Sequence, residues 1–171
     1  SDLVDYYGLK KISFDYVKTS YQPLLPSLAF EKRRWNPGET FQGELWIVND
    51  YHKEYADTVL EWTLCNHKDE VVHSGAIAAQ IASNSAAKFS DIAWKVDADA
   101  TGQFTVTLNL KQAGSVLASN EYKLLIGDQA EAKRICNEHL DESRKLRDEY
   151  GSSYYRYNPE LWEREESRIC G

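Results

Sequence analysis

The sequence predicts a mainly β protein: a seven-stranded antiparallel immunoglobulin-like β-sandwich with flanking N- and C-terminal helices. Three observations predict it. Residues 24–126 follow a two-residue hydrophobic period. The segments on either side follow a helical one, and turn signals interrupt the middle region at short intervals. The expected organisation is a helical segment at 1–22, a sandwich at 23–127, and a charged helix with an aromatic tail at 128–171.

In the first segment Phe14, Val17 and Tyr21 recur at three- and four-residue steps, with Ile12 and Tyr16 on a neighbouring stripe. Pro23 and Pro26 then end the helix and force an extended path. A helix this short is marginal in water and needs a surface to lie on.

The clearest strand is 103–110, where Phe104, Val106, Leu108 and Leu110 alternate with Gln103, Thr105, Thr107 and Asn109. Strict alternation means one buried and one wet face, as in an antiparallel sheet. Phe41, Leu45 and Ile47 alternate with Gln42, Glu44 and Trp46, and Leu60, Trp62 and Leu64 with Glu61, Thr63 and Cys65. Further strands are expected at 25–32, 70–81, 87–96 and 115–126. Within them 76–82 is ambiguous by propensity, and its shortness and flanking turns favour strand. Turns fall at Asn36-Pro37-Gly38, Asn49-Asp50, Asn66 to Asp69, Ser83-Asn84-Ser85, Asp97 to Gly102 and Ala113-Gly114. No helical crossover is available, so a parallel sheet is not expected. Trp62 is placed to be the core tryptophan, and Trp94 reads as core.

From Gly127 the period returns to helical. Asp128 and Glu131 make a capping-box-like start for a helix running to about Tyr150, where Gly151 ends it. Its apolar stripe is thin (Ala132, Ile135, His139, Leu146), and charge dominates the rest. The tail then brings Tyr154, Tyr155, Tyr157 and Trp162 close together, and such a cluster needs something to pack on.

Composition narrows the function. The net charge is −7 and the pI about 5.1, which argues against nucleic acid and anionic membrane surfaces as partners. No apolar run is long enough to cross a bilayer. The three cysteines, Cys65, Cys136 and Cys170, are widely spaced and form no metal-ligand pattern. Cys65 reads as a buried strand thiol. No cofactor motif is present. The chain contains no methionine and opens mid-pattern, so it reads as an internal piece of a longer protein.

The opening stretch carries a recognisable pattern: Asp5-Tyr6-Tyr7-Gly8, then Phe14-Asp15-Tyr16-Val17-Lys18, then Tyr21-Gln22-Pro23. It resembles the last barrel helix and exit strand of family 2 glycoside hydrolases, the β-galactosidase, β-glucuronidase and β-mannosidase relatives. Trp35-Asn36-Pro37-Gly38-Glu39-Thr40-Phe41 leading to Val48-Asn49-Asp50 resembles the first hairpin of their post-barrel sandwich. Many relatives have a Lys-Pro pair before the aromatic helix, where this chain reads Leu9-Lys10-Lys11-Ile12-Ser13. The resemblance implies a parent that cleaves a terminal β-linked sugar with retention, using two glutamates. In the family those glutamates sit on barrel strands that this chain lacks, so no catalytic residue carries over.

The residues agree. Asp97 and Asp99, or Glu165 and Glu166, are pairs in sequence only, and no nucleophile elbow, phosphate loop or H-E-x-x-H occurs. The expected function is a non-catalytic C-terminal domain of a β-glycosidase, supporting the upstream barrel of the same parent chain or subunit packing in a homo-oligomer. One alternative is a carbohydrate-binding accessory module; another is an interaction module that docks through helix 128–150 and its tail. Candidate carbohydrate or interface contacts are Trp35, Trp46, Tyr154, Tyr155, Tyr157 and Trp162. Loop 50–57 could instead reach the rim of a neighbouring pocket, although a solvated hairpin loop is the simpler expectation.

Overall fold

The computed structural model describes residues 22–32 and 34–128, with six further positions between Ala130 and Asp141. The chain divides into two compact units, Thr19–Asp128 and a second made of Ser1–Lys18 with Gln129–Gly171.

The first unit is two facing sheets. Its strands are β1 (Leu24–Ala29), β2 (Arg34–Trp35), β3 (Thr40–Asn49), β4 (Tyr55–Cys65), β5 (Val71–Ile81), β6 (Ser85–Lys95), β7 (Gly102–Gln112) and β8 (Ser115–Ile126). A narrow sheet has the order β1-β3-β6 and a wide one the order β2-β8-β7-β4-β5. All pairs are antiparallel except β2 with β8.

The seven strands expected are therefore eight. The extra one, β2, spans two residues, too few for a hydrophobic period to register. Its parallel pairing needs no helical crossover, because strands β3 to β7 lie between Trp35 and its partner strand β8. After Ala29 the chain leaves the narrow sheet, and by Arg34 it has joined the wide one. The N–H of Gly127 donates to the Trp35 carbonyl at 3.0 Å.

The core follows from the alternation. Phe41, Leu45 and Ile47 of β3 face Leu60, Leu108, Leu110 and Leu124 of the wide sheet, all fully buried. Each buried leucine contributes roughly 1.5–3 kcal/mol through removal from water. Trp94 is buried, and its ring lies 5.6 Å from that of Phe104. Trp62 sits between Leu60 and Leu64 on the core-facing side of β4 but is only half-buried. Opposite it in β5 is Gly75, where a Cβ would come within 2.1 Å of the indole. The glycine is thus the space the indole occupies. The Trp62 Nε1 is buried with no hydrogen-bond partner.

Polar staples join the sheets. The Tyr122 hydroxyl accepts from the Leu28 N–H at 3.0 Å and from Asn120 Nδ2 at 2.9 Å. Asn120 Nδ2 also donates to the Pro26 carbonyl at 3.0 Å. Pro26 lacks an N–H, which an edge strand such as β1 tolerates. Cys65, expected buried, is a half-buried free thiol in β4.

In the second unit Ala130, Glu131, Arg134, Asn137, Glu138 and Asp141 are helical. Arg134 pairs with Glu131 at 2.7 Å and with Glu138. Among the described residues helix is confined to these positions, and what is described is mainly β. The remainder of the two expected flanking helices lies outside the described residues.

Candidate functional site

The outer face of the narrow sheet gathers the most chemistry. Alternation in β3 sends Phe41, Gly43, Leu45 and Ile47 inward, which leaves Gln42, Glu44, Trp46 and Val48 outward. Across the ladder Glu44 pairs with Asp91 and Trp46 with Lys88 in β6. Glu44 is the hub: it accepts from Lys88 Nζ at 3.0 Å and from the Trp46 indole N–H at 3.1 Å. Lys88 also reaches Asp91 at 2.8 Å.

These bonds set the charge states. The Lys88 ammonium and then the Trp46 indole hold the Glu44 carboxyl below its usual range. Asp91 and then Glu44 raise the Lys88 ammonium above its usual value. Beside them, at the β1–β2 corner, Lys32 and the Asn36 N–H lower Glu39 to about 2. A general acid for glycoside cleavage needs its carboxyl raised. Glu39 and Glu44 both move the other way.

The geometry also opens a groove. β1 pairs with β3 only from Leu24↔Asn49 to Ala29↔Glu44, so Thr40–Gly43 is paired on its β6 side alone. Where β1 departs, a cavity of about 740 Å³ is lined by Phe30, Lys32, Thr40, Gln42, Glu44 and Asp91, among others. That volume lies within the range of small-ligand clefts.

The tryptophans proposed from sequence fall in different places. Trp35 lies in β2 and is 7% exposed, so its ring has little free face. Its indole N–H donates to the Lys32 carbonyl at 2.8 Å, its ring meets Phe41 edge-on at 5.2 Å, and Lys32 Nζ stands 4.5 Å over it. Its ring edge reaches the groove wall. Trp46 is half-buried on the outer face, one alternation beyond Glu44. Tyr154, Tyr155, Tyr157 and Trp162 lie outside the described residues, as do Glu165 and Glu166. Asp97 and Asp99 are exposed in a turn after β6.

Loop 50–57 is shorter than expected, since Tyr55 already begins β4. The Lys53 ammonium sits 4.9 Å over the Tyr55 ring, and Asn84 Nδ2 lies 2.8 Å from His52 Nδ1. Sequence reasoning did not single out Gln42, Glu44, Lys88 or Asp91. The alternation of β3 could have placed the first two beside Trp46; the β6 partners needed the register. Among the described residues no group of three His, Cys, Asp or Glu is placed to hold a metal.

Comparison with known proteins adds a likeness over part of the sandwich. Residues 42–124 match the model of the Mannosidase Ig/CBM-like domain. No curated protein matches the chain. Three solved structures illustrate the range of similar folds. A cycloisomaltooligosaccharide glucanotransferase from Paenibacillus sp. is 14% identical with a TM-score of 0.47, covering 59% of this chain and 13% of that one. A family 2 β-glucuronidase is 15% identical with a TM-score of 0.46, covering 59% and 11%. The Spo0M sporulation control protein of Bacillus subtilis is 16% identical with a TM-score of 0.46, covering 70% and 56%. The chain thus spans a small fraction of either enzyme's length. Over residues 42–124 the sandwich is similar to the Mannosidase Ig/CBM-like domain.

Proposed function

We propose that the chain is the non-catalytic C-terminal sandwich of a β-glycosidase, packing beside a catalytic barrel of the same parent chain or at a subunit contact. The observation that carries this reading is the match of residues 42–124 to the Mannosidase Ig/CBM-like domain. The site chemistry is consistent with it: Glu39 and Glu44 are both held as carboxylates by lysines. The chain incubated with aryl β-glycosides should release no aryl alcohol above a buffer blank. Turnover that survives repurification would sink the proposal.

A second reading, carbohydrate binding, has a specific observation in its favour. The groove where β1 departs is lined by Glu44, which accepts from the half-buried Trp46 indole, and its polar lining suits sugar hydroxyls. Affinity electrophoresis in gels containing β-mannan or β-glucan decides between the two. Unretarded migration leaves the supporting role alone; retardation abolished by Trp46→Ala establishes the binding face.

A further inference from the structure

On the outer face of the narrow sheet, Trp46 and the groove lie on one line. β3 is the middle strand of that sheet, and its outward side chains run Trp46, Glu44, Gln42, Thr40 toward the groove. Ser27 of β1 and Lys88 of β6 flank Trp46, Ala29 and Asp91 flank Glu44, and Ala93 stands beside Gln42. Gln42, Lys88, Asp91 and Ala93 are exposed, whereas Trp46 and Glu44 are half-buried. Glu44 joins the two ends, since it lines the groove and accepts from the Trp46 indole N–H at 3.1 Å. From Trp46 to Thr40 the strand covers roughly 20 Å at about 3.4 Å per residue, the length of about four pyranose rings in an extended chain.

We infer that this face binds a linear, uncharged β-1,4-linked glycan lengthwise along β3, with one ring stacked on Trp46 and the following rings running into the groove. The inference rests on the carbohydrate-binding reading above and gives it a path, a length and a linkage.

Three features select this ligand. Trp46 supplies an apolar surface for the C–H face of a pyranose ring, and Thr40, Gln42 and Glu44 supply donors and acceptors for its hydroxyls. A β-1,4-linked chain of equatorial linkages is an extended ribbon that can follow a straight strand, whereas an α-1,4-linked chain coils away from one. Charge excludes a uronate. Among the described residues the groove lining carries three carboxylates, Glu31, Glu44 and Asp91, and one ammonium, Lys32, which Glu39 already holds at 2.9 Å. Lys88 is likewise engaged by Glu44 and Asp91, so an anionic sugar would meet repulsion along the track.

Isothermal titration of the whole chain with β-1,4-linked mannose and glucose oligosaccharides tests the path. In at least one series the hexasaccharide should bind at least about tenfold tighter than the disaccharide, because only the longer chain reaches from Trp46 into the groove. The α-1,4-linked glucose hexasaccharide and a β-1,4-linked uronate oligosaccharide should give no binding heat. Trp46→Ala should abolish binding of both lengths, with circular dichroism reporting the fold. Gln42→Ala, at an exposed position, should weaken the hexasaccharide about threefold or more and leave the disaccharide unchanged. Tyr51→Ala, in the loop after the far end of β3, should change neither. Equal binding of the two lengths, or equal binding of the α-linked chain, would overturn the track and leave carbohydrate binding standing. Hexasaccharide binding untouched by Gln42→Ala would likewise sink the path into the groove. No heat from any of these glycans would overturn both the track and the reading beneath it.

Discussion

The two ends of β3 hold their loops by opposite means. At the C-terminal end Asn49 is fully buried and neutral. Its Nδ2 donates to the carbonyls of Lys53 and Ala82, both at 2.8 Å, and its Oδ1 accepts from the Tyr51 N–H at 3.1 Å. One side chain thereby ties the β3–β4 loop to the β5–β6 turn. At the N-terminal end Glu39 does the same work in water. It accepts from Lys32 Nζ at 2.9 Å and from the Asn36 N–H at 2.8 Å, closing the corner between β1 and β3. A buried neutral peg is costly to remove and indifferent to pH, whereas an exposed charged one is cheap to remove and responds to both pH and salt.

Four measurements would break or sharpen that contrast. Asn49→Ala strands two carbonyls and an N–H at the rim, and should cost about 2–4 kcal/mol in urea unfolding, unchanged from pH 5 to 8. A cost near zero would place water, not Asn49, as the tie. Tyr122→Phe tests a neutral staple of intermediate burial, removing the acceptor of Leu28 and Asn120; the expected loss is about 1–2 kcal/mol.

Glu39→Gln should lower the melting temperature modestly at pH 7. Its folded pKa, about 2, lies below the ordinary 4.5, so its stabilisation is complete above the ordinary value and disappears as pH falls through the lower one. The two melting curves should therefore converge between those limits, and also in 1 M salt. A gap that persists at acid pH would mean that Glu39 acts by shape. Lys88→Ala should have the smallest effect, near the limit of detection, because Lys88, Glu44 and Asp91 are all exposed.

Much of this fold was legible because alternation was legible. The 103–110 pattern is β7 with its buried face as expected, and the ambiguous 76–82 run lies largely in β5. Asn36-Pro37-Gly38 does turn, with Gly38 at φ 82° and the Glu39 N–H donating to the Asn36 carbonyl at 3.1 Å. The missing strand was β2, because a two-residue parallel pair is defined by its distant partner rather than by its own sequence. Trp35 illustrates the same blindness: beside a turn it reads as exposed, yet the corner folds it under Lys32. The hub at Glu44 was half legible, since its strand gives its direction but only the register supplies Lys88 and Asp91. Trp62 needed Gly75, which lies in the next strand and meets it only through the register, and cross-strand vacancy leaves no local mark.

The β2–β8 pair has a mechanical side. The sandwich's chain enters ahead of β1 and leaves after β8, and β2 runs parallel to β8. Tension applied through those two ends meets the β1–β3 ladder first; once that opens, it pulls β2 and β8 in opposite directions along their length, so their hydrogen bonds are loaded together in shear rather than unzipped one by one. With Arg34↔Leu125 and Trp35↔Ile126 as the whole register, that clamp is short. After β1 has opened, the corner carrying Trp35 and Glu39 should yield next, while the long β7–β8 and β4–β7 ladders stay closed.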